Sequence, residues 1–473
     1  MPFAGRVMRV ALGRLAKHAC AGLCVCVAVA IPSSAWAQAA GGVDQEPTQR
    51  SGGLRGVLAM SISIPDLLRG VKSIAREWGG QDAVYEPGQL LVMWPSSAAA
   101  TPGLVELAQR YQLQPVERVS LPLIGGEIAV FQFATQDEAE RQRLQLRRDY
   151  PSWTIDLNAR AELLQMPVPT DATASAVSAA DARLYALRML GLRPHRSAAS
   201  ARSVRIGVID SGIDARLLVP DREPSAWNGS LFFEHSTLAV SDVPAATTHG
   251  TAVAQLLAGR DLLTVDFAGS APAGSFWWAA ALRQTGRRQS THTVLLSKAF
   301  EWLLARHVQL INLSAGGAGD DILKSVVEKV VARDVTLVAA AGNRPDATPV
   351  YPAAYAGVWA VGAVDAAGRR YTQGSLGDFV GFAAPGVEVW VPDAEGWRAA
   401  NELDAVSGRY LSGTSFAAAL ATGVLAGAPS SFWDQPNASR FTHACRSAKR
   451  ALSDQGCGLL QALDHSRNSL EKD

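Results

Sequence analysis

Cysteine is scarce in this chain and unevenly spread. Five occur among 473 residues, and Cys20, Cys24 and Cys26 crowd the N-terminus, leaving Cys445 and Cys457 for the rest. Neither of those two has the cysteine or histidine partners of a zinc site, so a structural zinc module is excluded. Charge of one sign is lacking as well. The formal net charge is +1 and no continuous basic stripe occurs, which excludes a dedicated nucleic-acid binder. After the N-terminus no apolar run is long enough to span a bilayer, so the rest of the chain is expected to be soluble.

The N-terminus has the pattern of a secretory leader. Arg6, Arg9, Arg14 and Lys17 are cationic, Ala19 to Ile31 is apolar, and Ala35-Trp-Ala37 supplies small residues where a signal peptidase cuts. Residues 1–37 are expected to be removed, and a secreted or periplasmic location follows. An uncleaved anchor is the alternative, but the apolar run is short for a full span. The leader takes three cysteines with it. The even pair that remains, Cys445 and Cys457, points to one disulfide in an oxidising compartment.

A hydrophobic fraction of 48% and a charged fraction of 18% suit a globular interior, and the length predicts two or three folded units. Residues 38–80 are a loose segment in which 57–78 could form an amphipathic helix. From 81 to 165 the pattern is strand, helix, strand, helix, strand. Strands fall at 89–94, 127–133 and 153–157, and Val116–Leu123 is a candidate fourth. Leu104, Leu107, Ala108 and Tyr111 lie at helical spacing, and Thr135-Gln-Asp-Glu138 is a capping box for a second helix that ends before Pro151. A small α+β domain of ferredoxin-like type is expected.

Residues 166–200 read as a Pro-, Ala- and Thr-rich linker with a lead-in helix at Asp181–Leu192, and as a cleavage region. From 201 to 473 apolar strands alternate with helices. The strands are Val204–Ile209, Ser275–Ala281, Val308–Leu313, Thr336–Ala340, Val358–Val364 and Phe379–Ala383. The helices are Thr251–Leu257, Val294–Arg306, Asp321–Arg333, Ser415–Ala426 and a last one near 459–471. This alternation predicts an α/β domain, a mostly parallel sheet with helices on both faces. Functional groups then collect at the carboxyl ends of the strands.

Three residues stand at such places. Asp210 ends an apolar strand, His249 opens a helix, and Ser415 follows Gly413-Thr414 at the start of an Ala-rich helix. A serine hydroxyl needs an adjacent base, and the base needs an orienting group. Ser415 is therefore the candidate nucleophile, His249 the general base and then acid, and Asp210 the orienter. Asn343, after Ala339-Ala-Ala-Gly342, is the candidate oxyanion donor. Each motif alone reads as well as a cap or a turn; the three in this order do not.

At these residues the chain resembles the subtilisin-like serine proteases, whose triad runs Asp…His…Ser. Val208-Ile-Asp210-Ser-Gly-Ile-Asp214, His249-Gly-Thr-Ala-Val-Ala and Ser412-Gly-Thr-Ser415-Phe-Ala-Ala are similar to the family's three catalytic motifs. Asn312-Leu-Ser-Ala-Gly-Gly317 is similar to its substrate-pairing strand and Ala341-Gly-Asn343 to its oxyanion segment. Tyr351-Pro-Ala-Ala-Tyr, Ala360-Val-Gly-Ala-Val364 and Ala383-Ala-Pro-Gly386 are further landmarks. The resemblance covers roughly 200–460.

It implies a serine endopeptidase with a three-layer subtilisin-like domain, made as a zymogen in which residues 81–165 are an inhibitory propeptide. An extended polypeptide substrate would add to the edge formed by Leu313, Ser314, Ala315 and Gly316. The pocket lining reads as small, which favours apolar or large neutral side chains before the scissile bond. The family pattern is broken at Ala419, where a proline is usual, at Ala252, where a second histidine is frequent, and at Ala215–Asp221, which replaces a His-Pro-Asp turn. No cofactor is implied; calcium is an open expectation with no ligands assigned. A monomer is expected. The alternatives are an inactive peptide-binding module and a processing protease of narrow specificity.

Overall fold

The six apolar runs that read as buried strands come together in one parallel sheet. The fold is described from a computed structural model of the chain. The described residues are 84–95, 101–163, 179–192, 204–213, 232–236, 248–258, 270–271, 275–285, 288–392, 408–449 and 455–463. The expected leader, the segment 38–80 with its amphipathic helix, and the Ala215–Asp221 turn lie outside them.

The central strands are β5 (Arg205–Asp210), β6 (Phe232–Ser236), β7 (Ser275–Ala280), β10 (Leu310–Leu313), β12 (Thr336–Ala340), β13 (Trp359–Val364) and β14 (Val380–Pro385). Their order is β14-β13-β12-β10-β5-β7-β6 and every pairing is parallel. Nearly every residue of β5, β10, β12 and β13 is buried. That is why these strands read as continuous apolar runs rather than alternating ones.

Helices cover both faces. One face carries α3 (Ala179–Met189), α4 (Thr248–Ala258) and α7 (Thr414–Ala426), which share a core with Phe276, Trp278, Trp359 and Phe382. The other carries α5 (Thr293–Leu304) and α6 (Asp321–Val331), whose Phe300, Leu303, Val326 and Val330 pack on Ile209, Ile311 and Leu337. Asp320 starts α6, its Oδ1 accepting from Ile322 N at 2.9 Å and Leu323 N at 2.8 Å. Helix α3 was expected as part of a linker; it packs into the core, and Tyr185 Oη donates to Val387 O.

Ahead of this domain lie β1 (Tyr85–Pro95), α1 (Thr101–Tyr111), β2 (Pro115–Leu121), β3 (Gly126–Gln132), α2 (Gln136–Asp149) and β4 (Thr154–Leu163). The strands form an antiparallel sheet in the order β2-β3-β1-β4, the ferredoxin-like arrangement. Thr135 caps α2, its hydroxyl accepting from Glu138 N at 3.2 Å, as the capping box predicts.

Strand periodicity explains how the two parts fit. Successive side chains of a strand point to opposite faces. In β1, Leu90, Val92 and Trp94 face the small domain's own helices, packing with Leu107 and Leu146. Leu91 and Met93 face the other way and join Val119, Ile128 and Val130 against α5 and α6. The small sheet thus has two buried faces, one served by another domain's helices. Residues Asp82–Asp473 accordingly form one compact unit.

Polar contacts fix the docking. Glu301 of α5 accepts from Leu123 N at 2.8 Å and Ile124 N at 2.9 Å in the β2–β3 turn. Asp156 of β4 accepts from Asp321 N at 3.0 Å, one of the free amides at the start of α6. Lys298 pairs with Glu117, and Arg147 with Asp321.

The expected helix near 459–471 is a correction over its described part. Leu459 to Leu463 are not helical. Ala383 N donates to Gly458 O at 2.9 Å and Leu460 N donates to Ala383 O at 3.0 Å, so the edge of the sheet takes the backbone groups a helix would need. Residues 464–471 lie outside the described set. The helix preceding this segment is α9 (Asn437–Ser447), after the short α8 (Ser430–Trp433). A disulfide joins Cys445 of α9 to Cys457. Among the described residues no helix is long and apolar enough to cross a membrane.

Close packing under the sheet gives a test. A Cβ on Gly207 would stand 2.9 Å from both Cδ atoms of Leu303. Gly207→Ala should cost about 1–3 kcal/mol through overpacking, and Leu303→Ala about 2–5 kcal/mol through the cavity it leaves. Together they should cost less than the sum, because each relieves the other. Urea unfolding of the four chains checks this; strict additivity would show that the contact is slack.

Candidate active site

Asp210 is the last residue of β5 and is fully buried. Its Oδ1 accepts from Ser211 N at 2.7 Å and lies 2.7 Å from His249 Nδ1. A carboxylate at Nδ1 keeps the ring hydrogen on that nitrogen and leaves Nε2 as the acceptor.

His249 is the second residue of α4. The start of this helix is pressed against the loop after β5. Gly250 N donates to Ser211 Oγ at 2.9 Å. A Cβ at Gly250 would meet Gly212 O at 2.4 Å and Ser211 O at 2.7 Å. Only glycine allows this approach, and the approach brings the imidazole to the carboxylate.

Ser415 is the second residue of α7, a helix whose 13 residues are all buried. Its alanines let a helix run through the core beside the strands. Ser415 Oγ donates to Ser314 O at 3.0 Å. The imidazole of His249 lies 5.4 Å, ring centre to ring centre, from Phe416, the next residue of α7. The starts of α4 and α7 therefore meet, with His249 beside the residue that follows Ser415.

Asn343 follows β12 across Ala341-Gly342. Its Oδ1 accepts from Thr414 N and Thr414 Oγ1, both at 3.0 Å. The same hydroxyl accepts from Gly342 N at 3.1 Å. Two donors on Oδ1 fix the orientation of the amide and direct Nδ2 elsewhere. Sequence reading treated Thr414 only as a turn residue. Its hydroxyl is what sets the aim of Asn343, and a Gly-Thr-Ser motif gives no sign of that.

Two nitrogens of these residues are buried without a hydrogen-bond partner, His249 Nε2 and Asn343 Nδ2. Orphaned buried polar atoms are uncommon and cost about 1–3 kcal/mol each. An unpartnered imidazole nitrogen and an unpartnered amide nitrogen suit a base and an oxyanion donor.

The four residues expected to bind substrate divide. Ala315 and Gly316 belong to β11 (Ala315–Gly317), a short strand in the cleft, and Ser314 leads into it. Leu313 is not at an edge. It ends β10 and is paired on both sides, with Ile209 of β5 and Ala339 of β12.

The cleft holds a strand of the same chain. The final residues of β4 pair antiparallel with β11, as Leu163↔Ala315, Glu162↔Gly316 and Ala161↔Gly317. On their other side they pair with β9 (Arg288–His292), as Glu162↔Ser290, Ala161↔Thr291 and Arg160↔His292. Beyond β9 lies β8 (Arg283–Thr285). The β8–β9 hairpin was not read from the sequence; only the β-branched Thr291 within a polar run hints at it.

His292 ends β9 and caps α5, its Nδ1 accepting from Leu295 N at 3.5 Å. Asn158 Nδ2 of β4 lies 3.3 Å from the same nitrogen. Burial, with the nearby positive charge of Arg283, pushes the His292 pKa down to about 4. Among the described residues no three His, Cys, Asp or Glu side chains converge as a metal site, so no calcium ligands are assigned.

The Subtilase family matches residues 201–455. Subtilisin NAT of Bacillus subtilis subsp. natto is 32% identical over 200 residues, covering 41% of this chain and 50% of that protein. Subtilisin of Bacillus pumilus is 32% identical over 200 residues, covering 41% and 69%. The chain spans about half the length of several curated relatives it matches. In fold it is similar to fervidolysin of Fervidobacterium pennivorans, a keratinolytic enzyme related to subtilisin. The TM-score is 0.61 at 19% identity, over 81% of this chain and 61% of that one.

His292 should make stability depend on pH. Its value folded, about 4, lies below its ordinary 6.5, so the unfolded chain binds the proton more readily. The contribution is complete above about pH 6.5 and is lost as the pH falls toward 4. His292→Asn keeps a capping acceptor without the titration. Thermal unfolding between pH 7 and pH 4 should show a shallower acid decline for the variant. Equal slopes would assign the decline to other groups.

Proposed function

Since the chain belongs to the subtilase family, we propose that it is a serine endopeptidase, exported and made as a zymogen, with Asp210, His249 and Ser415 as its triad. In this reading an extended polypeptide lies along Ser314–Gly317. His249 Nε2 takes the proton of Ser415 as Oγ attacks the scissile carbonyl, and Asp210 holds the imidazole in place and offsets its charge. Asn343 Nδ2 donates to the developing oxyanion. His249 then gives the proton to the leaving amine, and water repeats the steps on the acyl-enzyme.

The observation that carries the reading is the buried Asp210–His249 pair at 2.7 Å, with His249 Nε2 and Asn343 Nδ2 both buried and unpartnered.

Residues 81–165 act as the inhibitory propeptide. What supports this is β4, paired on both edges where a substrate strand would lie. Export with removal of residues 1–37 fits the leader pattern, and the Cys445–Cys457 bond suits the secreted or periplasmic compartment that export implies.

Ser415→Ala should lower kcat by about 10⁶ on an unfolded protein substrate, because the triad acts as a unit. Equal hydrolysis by both chains would overturn the proposal, as would no hydrolysis by either once residues 81–165 are removed; the second outcome fits the inactive binding module instead. Asn343→Ala should lower kcat by about 10²–10³ with KM nearly unchanged, the range established on a subtilisin. A loss confined to KM would assign Asn343 to binding rather than to the oxyanion.

A further inference from the structure

Beyond Ser415, helix α7 carries a single polar side chain, and it is fully buried. Thr422 stands among Ala, Leu, Gly and Val. It follows Ser415 by about two helical turns and so lies on the same stripe of the helix. Inside a helix a threonine hydroxyl ordinarily bonds the carbonyl four residues back. Thr422 Oγ1 instead leaves the helix and donates to Asn312 Oδ1 of β10 at 3.2 Å. Asn312 Nδ2 donates in turn to Ser314 Oγ at 3.0 Å. Ser314 is the residue whose carbonyl accepts from Ser415 Oγ, also at 3.0 Å. Thr422, Asn312 and Ser314 are all removed from water.

The nucleophile's helix is thus joined to one strand segment at two points, by Ser415 in front and by Thr422 two turns behind. We propose that Thr422 is a positioning residue: through Asn312 it sets the height of α7 on β10, and with it where Ser415 Oγ stands against the cleft segment Ser314–Gly317. The proposal rests on the peptidase function above.

Strand periodicity puts the link on the required face. Leu310 shares a core with α7, whereas Ile311 and Leu313 share one with α5 and α6, so Asn312 faces α7. Between the two points the stripe carries Ala418 and Ala419, both fully buried. Their methyl groups let the helix lie close to the strand but fix no position along it, since apolar contact has no direction. Hydrogen bonds do have direction. Ala419 stands where the family pattern has a proline. With alanine the helix runs unbroken from Ser415 to Thr422, and a displacement at one end is carried to the other.

The same turn is gripped from behind. A Cβ on Gly423 would stand 1.8 Å from Ser270 Oγ, and that hydroxyl donates to Leu256 O of α4 at 2.9 Å. Helix α4 carries His249. The turn at 422–423 therefore ties α7 both to the strand beside the cleft and to the helix of the base. Asn312 makes the first of these ties stiff. A buried amide needs both ends bonded, and here Thr422 serves the oxygen while Ser314 serves the nitrogen. Without the Thr422 hydroxyl, Oδ1 is buried with no donor. The amide then turns or the helix shifts, and either change moves Ser314 or Ser415.

Thr422→Val keeps the shape and removes the hydroxyl, and Thr422→Ser keeps the hydroxyl. Full chains with each change are compared with wild type in kcat and KM on casein, in the rate of inactivation by phenylmethanesulfonyl fluoride, and in thermal unfolding. The fluoride reports the reactivity of Ser415 without a bound peptide. Thr422→Val should lower kcat and the inactivation rate together by about 10–10²-fold, the scale of a nucleophile misplaced by up to an ångström, with KM nearly unchanged. Thr422→Ser should keep both rates near wild type. A Thr422→Val chain that loses thermal stability but keeps both rates would make Thr422 a structural residue and overturn the inference. Equal rate losses in the Val and Ser variants would overturn it as well. If Thr422→Val does not fold, Ser314→Ala severs the other link and leaves the Ser314 carbonyl in place. It should show the same paired loss, and unchanged rates there would overturn the inference. Each of these results leaves the peptidase reading intact. A wild-type chain that neither cleaves casein nor reacts with the fluoride overturns that reading and this inference together.

Discussion

A carboxylate and an imidazole, both buried and 2.7 Å apart, set the terms for the surrounding architecture. Such a pair is costly to bury unless its geometry is held closely. Strand β5 lies between β10 and β7 and delivers Asp210 at a fixed height. Helix α4 approaches at Gly250, clipped by Ser211 Oγ, and brings His249 to the carboxylate. Helix α7 then brings Ser415 from below the same strand ends, and Thr414 ties its start to Gly342 and Asn343. Four segments distant in sequence thus converge because a parallel sheet places its carboxyl ends together.

Much of this was legible in the chain. Six of the seven central strands were marked by their apolar composition alone, and β6 (Phe232–Ser236) was not. Asp210, His249, Ser415 and Asn343 each follow a local signal, a strand end or a helix start, and their order supplied the rest. The capping box at Thr135 and the ferredoxin-like succession of β1 to β4 were equally plain.

What escaped reading depends on partners far away. The β8–β9 hairpin is polar and becomes a strand pair through β4, more than a hundred residues earlier. Helix α9 has few apolar positions, Phe441, Ala444 and Cys445 among them, so its period was weak. The reverse error at Leu459–Leu463 has the same origin. An apolar run looks helical until a sheet edge claims its amides. Leu313 was grouped with its neighbours by sequence continuity, but the chain leaves the central sheet just after it.

The two-sided burial of β1 has a consequence for the life history of the molecule. Leu91, Met93, Val119, Ile128 and Val130 are covered by helices that belong to the other domain. Separated from the larger domain, the smaller one would expose that face to water with nothing of its own to cover it. A sheet so exposed opens more readily than the docked one. On the zymogen reading proposed above, the inhibitor would be well formed only while docked, and its release would favour its destruction.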